Sequence, residues 1–196
     1  SHTGSLVGQD AVFAAAFARA GITRARGAAD LVDQVQAFRK LPVLKGPRIG
    51  IATPSGALGI MALDALSREG LLAGHLPAAI REQVEPLGPY WHRLHNPVDL
   101  WPIGMQTGDY LDVAGKTLRA FLADPGIDGV VAMLPALSSP LHENITKAPE
   151  FIAGLDLAGY DKPLVVALYG DYRDHLMEEL EQIPGVACYA SVERAV

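Results

Sequence analysis

Arg48-Ile49-Gly50-Ile51-Ala52-Thr53-Pro54-Ser55-Gly56-Ala57-Leu58-Gly59 is the stretch on which the fold turns. An apolar strand is broken by Pro54-Ser55-Gly56, and residues 57–69 then place Leu58, Met61, Ala62, Ala65 and Leu66 at helical spacing. The same pattern recurs downstream. A weak strand at 71–76 precedes a short helix at 78–85, and a helix at 110–123 leads into a strand at 129–134. Residues 147–157 read as helical, and 163–169 is the strongest strand. A helix at 174–183, a strand at 186–189 and a last helix from Ser191 complete the series. Continuous Val, Ile, Leu and Ala in strands that each lead to a helix predict a parallel sheet covered on both faces. The expected class is α/β: a flavodoxin-like, doubly wound, five-stranded parallel sheet of order 2-1-3-4-5. Ligands of such sheets bind beyond the carboxyl ends of the strands, which here points to Thr53-Pro54-Ser55-Gly56.

Upstream, residues 10–20 are helical with Gly21 as a stop, 22–26 is a short extended segment, and 28–40 is helical again. Leu41-Pro42-Val43-Leu44-Lys45-Gly46-Pro47 breaks any helix and reads as a linker. The expected organisation is a partial helix-strand-helix unit at 1–44 and the doubly wound domain at 45–196. Half a fold leaves an apolar face bare, and Val12, Phe13, Phe17 and Phe38 are its expected members.

The bulk numbers exclude several classes. The chain has 196 residues, 49% hydrophobic, with a net charge of −6. Scattered Lys and Arg leave no electrostatic footprint for nucleic acid or an anionic membrane. No apolar run is long enough to span a bilayer, and no signal-peptide pattern is present. The single Cys188 excludes an internal disulfide and a cysteine-based zinc site, and fits a reducing cytoplasm. It lies in an apolar run, where a buried strand thiol is expected rather than a nucleophile.

Two motifs carry candidate chemistry. At the strand-to-helix turn, the N–H groups of Ser55, Gly56 and Ala57 are placed to hold an anion such as phosphate. The turn is neither a dinucleotide fingerprint nor a P-loop, and its plain alternative is a helix start capped by Ser55. The other motif is Ser1-His2-Thr3-Gly4-Ser5-Leu6-Val7-Gly8, a histidine in a loop of small residues before a helix. Such a loop lets another group approach an imidazole. A solvated histidine, or a vector-derived Ser-His pair, is the alternative.

These motifs, with His95-Asn96-Pro97-Val98-Asp99-Leu100 and Asp124-Pro125-Gly126-Ile127-Asp128-Gly129-Val130-Val131 following in order, resemble the NDP-forming acyl-CoA synthetases, relatives of succinyl-CoA synthetase. The resemblance implies an acid–thiol ligase that forms acyl-CoA from a carboxylic acid, CoA and a nucleoside triphosphate through a phosphohistidine. His2 occupies the position of that histidine. The family holds the phosphohistidine between the N-termini of two helices, and the helix starting near Ser55 resembles one of them. The chain is then part of a larger protein, inactive alone. CoA-binding and ATP-grasp domains, the latter with Mg, are expected in the same chain or a partner subunit. CoA and ATP/ADP are the expected substrates, with none tightly bound to this stretch. A homo-oligomer is expected, in the cytoplasm, with no nucleic-acid or membrane partner. The alternative is a regulatory module of a multidomain protein such as a protein acetyltransferase, without ligase activity; retention of His2 argues against it.

Other polar groups have plainer readings. Asn96 and Asp99 read as a structural turn, with the border of the phosphate pocket as the functional alternative. Tyr90-Trp91-His92-Arg93-Leu94-His95 is rich in aromatics and histidine, but lacks the spacing and third ligand that a metal requires. No metal site is expected. Asp171, Arg173, Asp174 and His175 read as a solvated helix start or as part of the same edge. His75 and His142 have no visible partner in the sequence.

Overall fold

A computed structural model describes residues 9–138 and 147–196. The chain divides into two compact units, Ser1–Val35 and Gln36–Val196. In the first, α1 (Asp10–Ala20) ends at Gly21, whose φ of 67° is the left-handed conformation that glycine adopts without strain. α2 (Ala28–Lys40) follows, and its end belongs to the second unit. Residues 22–26 form no strand, because the described part of this unit offers no strand for them to pair with. Instead the Arg26 N–H donates to Asp30 Oδ2 at 2.7 Å.

Neither α1 nor α2 buries a residue. Val12 is 62% exposed and Phe38 75%, with Phe13, Leu31, Val32 and Val35 also exposed and Phe17 half-buried. Short helices gain most of their stability from packing an apolar face, so these faces favour association. The chain is expected to self-associate at high concentration; light scattering showing a clean monomer would contradict this.

The second unit carries the sheet. Its strands are β1 (Arg48–Thr53), β2 (Leu72–Ala73), β3 (Val98–Asp99), β4 (Gly129–Pro135), β5 (Leu164–Tyr169) and β6 (Val186–Tyr189). Its further helices are α3 (Gly56–Arg68), α4 (Ala78–Gln83), α5 (Trp101–Thr107), α6 (Tyr110–Ala123), α7 (Ala148–Ala153), α8 (Arg173–Leu180) and α9 (Val192–Ala195). All pairings are parallel, in the order β2-β1-β4-β5-β6. This is the expected winding, with one strand more than expected. β3 extends the β2 side of β1, pairing Ala52 with Val98 and Thr53 with Asp99 after β2 has paired Arg48 and Ile49.

The gap between β2 and β3 is filled by a side chain. Asn96 Oδ1 accepts from the Ile51 N–H at 2.9 Å, and its Nδ2 donates to Ile49 O at 2.7 Å and Gly74 O at 2.8 Å. The amide thus supplies what a missing strand residue would give β1.

Side chains alternate across the sheet. Ala52, Val130, Ala132, Val166 and Cys188 face one core, with Leu100, Ile103, Leu118 and Phe121. Ile49, Ile51, Val131, Met133 and Ala187 face the other, with Ala62 and Leu66 of α3. A Cβ on Gly50 would stand 2.5 Å from the Phe121 ring, so the glycine lets α6 press onto β1. Cys188 is buried, and burial pushes its thiol up to about 12.

At the amino edge of the sheet Asp128 accepts from Arg48 N, Nε and Nη2 at 2.8–2.9 Å. The Arg48 guanidinium, followed by the Arg48 amide, holds this carboxyl down to about 2 from its ordinary 3.8. A depressed carboxyl stabilises the fold above its unfolded pKa, and the gain is lost as pH falls through the folded value. The melting temperature is therefore expected to fall more steeply from pH 3.8 towards about 2 in the wild type than in Asp128→Asn. Parallel acid profiles would refute this role.

Candidate functional site

At the carboxyl edge, the wholly buried Thr53 ends β1 and shapes the turn into α3. Its Oγ1 accepts from the Ser55 N–H at 3.1 Å and donates to Ser55 O at 2.9 Å. Ser55 enters α3 in extended conformation, and its side chain makes no capping hydrogen bond. Of the three amides named from the sequence, that of Ser55 is therefore engaged by Thr53. Gly56 and Ala57 are exposed at the start of α3, where a helix has no acceptors of its own for its N–H groups. A Cβ on Gly59 would approach Pro97 Cβ to 3.1 Å, so the bare backbone there lets α3 start close against the segment leading to β3.

That segment brings Asp99 to the site. Leu100 N donates to Thr53 O at 2.7 Å, which locks β3 beside the end of β1. Asp99 Oδ1 accepts from the Trp101 N–H at 3.1 Å, the first residue of α5. A Cβ on Gly56 would stand 3.5 Å from Asp99 Oδ2. One carboxylate thus lies between the first residues of two helices. Two tyrosines complete the edge electrostatically. Burial pushes the Tyr169 phenol up to about 12, and the charge of Asp99 adds to the shift. Burial, then Tyr169 and Asp99, raises Tyr110 further. Both phenols stay protonated at neutral pH and remain hydrogen-bond donors.

The structure brings Ser55, Gly56, Ala57 and Asp99 to this edge. Asn96 lies deeper, with its amide spent on β1 and Gly74. His2 and His142 lie outside the described residues. His92 Nε2 is 2.8 Å from Asp99 O, and no three potential metal-binding side chains converge among the described residues. Asp171 accepts from Ser138 N at 3.0 Å and from the Ser138 hydroxyl. Arg173 pairs with Asp174, and His175 with Glu179. His75, without a visible partner in the sequence, pairs with Asp124 at 3.1 Å. The sequence does not single out Tyr110 or Tyr169; the position of Tyr169 at the carboxyl end of the strongest strand is the available signal.

The alpha subunit of ADP-forming acetate–CoA ligase I from Pyrococcus furiosus is 34% identical over 202 aligned positions, covering 100% of this chain and 41% of its own length. ADP-forming acetate–CoA ligase II from Archaeoglobus fulgidus is 28% identical, covering 100% of this chain and 28% of its own. Along its whole length the chain is similar to ADP-forming acetate–CoA ligases. It spans about two fifths or less of the length of these synthetases. No family model matches it. Among solved structures, the dinucleotide-forming acetyl-coenzyme A synthetase 1 of Ca. Korarchaeum cryptofilum, in complex with phosphate and ADP, superposes with a TM-score of 0.78. The match covers 99% of this chain and 40% of that one at 23% identity, and shows a shared fold. Among the described residues, no helix is long and apolar enough to cross a membrane.

Proposed function

We propose that the full-length protein is an acid–CoA ligase that forms acyl-CoA from a carboxylic acid, CoA and ATP, releasing ADP and phosphate. His2 is the phosphoryl acceptor in this reading. Its ring nitrogen bonds to the γ-phosphorus as the bond to ADP breaks, and the phosphoryl group then passes to the oxygen of the acid's carboxylate. CoA sulfur displaces phosphate from the acyl phosphate. Splitting the reaction this way replaces one difficult step by easier ones. Residues 1–44 belong to one succinyl-CoA synthetase-like domain and 45–196 to the next. CoA-binding and ATP-grasp domains, with Mg in the latter, complete the enzyme in the same chain or a partner subunit. The assembly is a homo-oligomer in the cytoplasm.

The observation that carries this reading is the exposed first turn of α3 at the carboxyl edge of the sheet, with the amides of Gly56 and Ala57 at its start. Helix-start amides bind phosphoryl oxygens without a proton to lose. Phosphate titration followed by amide NMR tests it. The Gly56 and Ala57 resonances should shift saturably; a titration that moves other amides and leaves these in place would count against the site. Gly56→Val keeps the N–H groups and puts bulk in front of them, so turnover in the full-length protein should fall ~100-fold, the scale of losing one preorganised donor. Undiminished turnover in that variant would remove α3 from the chemistry.

A further inference from the structure

Two phenols at the carboxyl edge of the sheet lack an acceptor. Among the described residues, neither the Tyr169 nor the Tyr110 hydroxyl makes a hydrogen bond. Both residues are half-buried. Hydroxyls withdrawn from water are normally bonded, so one left over in a fold calls for a partner from outside the protein.

The two differ in position. Tyr110 starts α6 and packs against the core on that helix's side of the sheet; a Cβ on Gly104 would stand 2.8 Å from its ring. Tyr169 ends β5 and lies on the other face. Val165 and Ala167 pack in the cluster that holds Ala62 and Leu66 of α3, and the alternation of β5 puts Tyr169 on the same side.

Register fixes how far Tyr169 reaches along the strands. Ala52 pairs with Ala132, and Ala132 with Val166. β1 runs one residue beyond that row, to Thr53, and β5 runs three, to Tyr169. Tyr169 therefore overhangs the end of β1 by two residues, about 7 Å. That overhang is where the chain turns into α3. The order β2-β1-β4-β5-β6 also reverses direction between β1 and β4, and open α/β sheets bind ligands at such a reversal. Asp99, paired with Thr53 on the far side of β1, bounds the place from one side, and Tyr169 bounds it from the other. The charge of Asp99 reaches the Tyr169 phenol across it.

We propose that the Tyr169 hydroxyl donates a hydrogen bond to an oxygen of the phosphoryl group held at the start of α3. The inference rests on the ligase reading above. Tyr169 adds a side-chain donor from β5 to the amides of Gly56 and Ala57. Asp99 repels an anion from its own side, so a donor on the β5 side draws the phosphoryl group towards β4 and β5. The hydroxyl keeps its proton and takes no part in making or breaking a bond to phosphorus. It acts by stabilising charge that builds on the oxygen during transfer.

Tyr169→Phe tests this, since it removes one oxygen and keeps the ring. In the full-length protein, kcat for acid- and CoA-dependent ADP release should fall roughly 100-fold, the low end for losing one preorganised donor. The inhibition constant of inorganic phosphate, as product, should rise several-fold. The melting temperature should stay that of the wild type, because the hydroxyl supports nothing in the fold. Unaltered kcat and phosphate inhibition would overturn the proposal, as would a change confined to KM for the acid. A lower melting temperature with kcat retained would make the hydroxyl structural and overturn it as well. The failure of the ligase reading looks different: wild type would then release no ADP in the same assay.

Discussion

Acyl-CoA formation is expected to fall below detection in the full-length protein carrying His2→Ala, with the melting temperature of the wild type retained. A ligase that moves phosphate between nucleotide and acid through a covalent intermediate has no substitute for its nucleophile. The helix-start amides of Gly56 and Ala57 can stabilise phosphoryl oxygens but cannot form the bond to phosphorus. The expected loss is therefore of a different order from that in Gly56→Val. Assay of acid- and CoA-dependent ADP release measures both. Full turnover in His2→Ala would reduce His2 to a loop residue and bring forward the reading of this chain as a regulatory module.

The largest effect on stability is expected at Asn96. Asn96→Ala leaves Ile51 N–H, Ile49 O and Gly74 O without the amide that now bonds all three. Each unmade bond at a half-buried site costs about 1 kcal/mol or more, so the total is about 3 kcal/mol. For a domain of this size that lowers the melting temperature by roughly 6–12 °C. Asn96→Asp is no rescue. A carboxylate still accepts from Ile51 N–H, but it cannot donate to the two carbonyls and sets a negative charge against them. Thermal unfolding followed by circular dichroism checks both variants. A melting temperature within a degree or two of wild type would mean that water replaces the amide freely, and that β1 does not depend on it.

Much of the architecture was legible because parallel strands buried on both faces read as continuous apolar runs. Residues 129–134 and 163–169 carry no polar interruption, and each lies beside a helix with clear spacing. β3 was not legible. A strand of two residues has no period, and Asn96-Pro97 ahead of it carries the signature of a turn. α5 was hidden for a related reason. Pro102 and Gly104 both argue against a helix interior, yet Pro102 stands in the first turn, where its missing N–H costs nothing. At the site, the turn into α3 could be found from a strand ending at Pro54-Ser55-Gly56. The engagement of the Ser55 amide by Thr53 could not, since any hydroxyl at that position would read alike. The meeting of Asp99 with Gly56 depends on β3 adding to β1, so it became visible only with the fold. The same holds for His75 and Asp124, which are 49 residues apart and joined only by the winding of the sheet.

The proposed role of His2 as phosphoryl acceptor can be read out by incubating the full-length protein, wild type and His2→Ala, with ATP labelled at the γ-phosphorus. An acid-labile, base-stable label is expected on the wild type, discharged on adding acid and CoA, and none on His2→Ala. An equal label on both proteins, or a wild type that acquires none while still forming acyl-CoA, would contradict it.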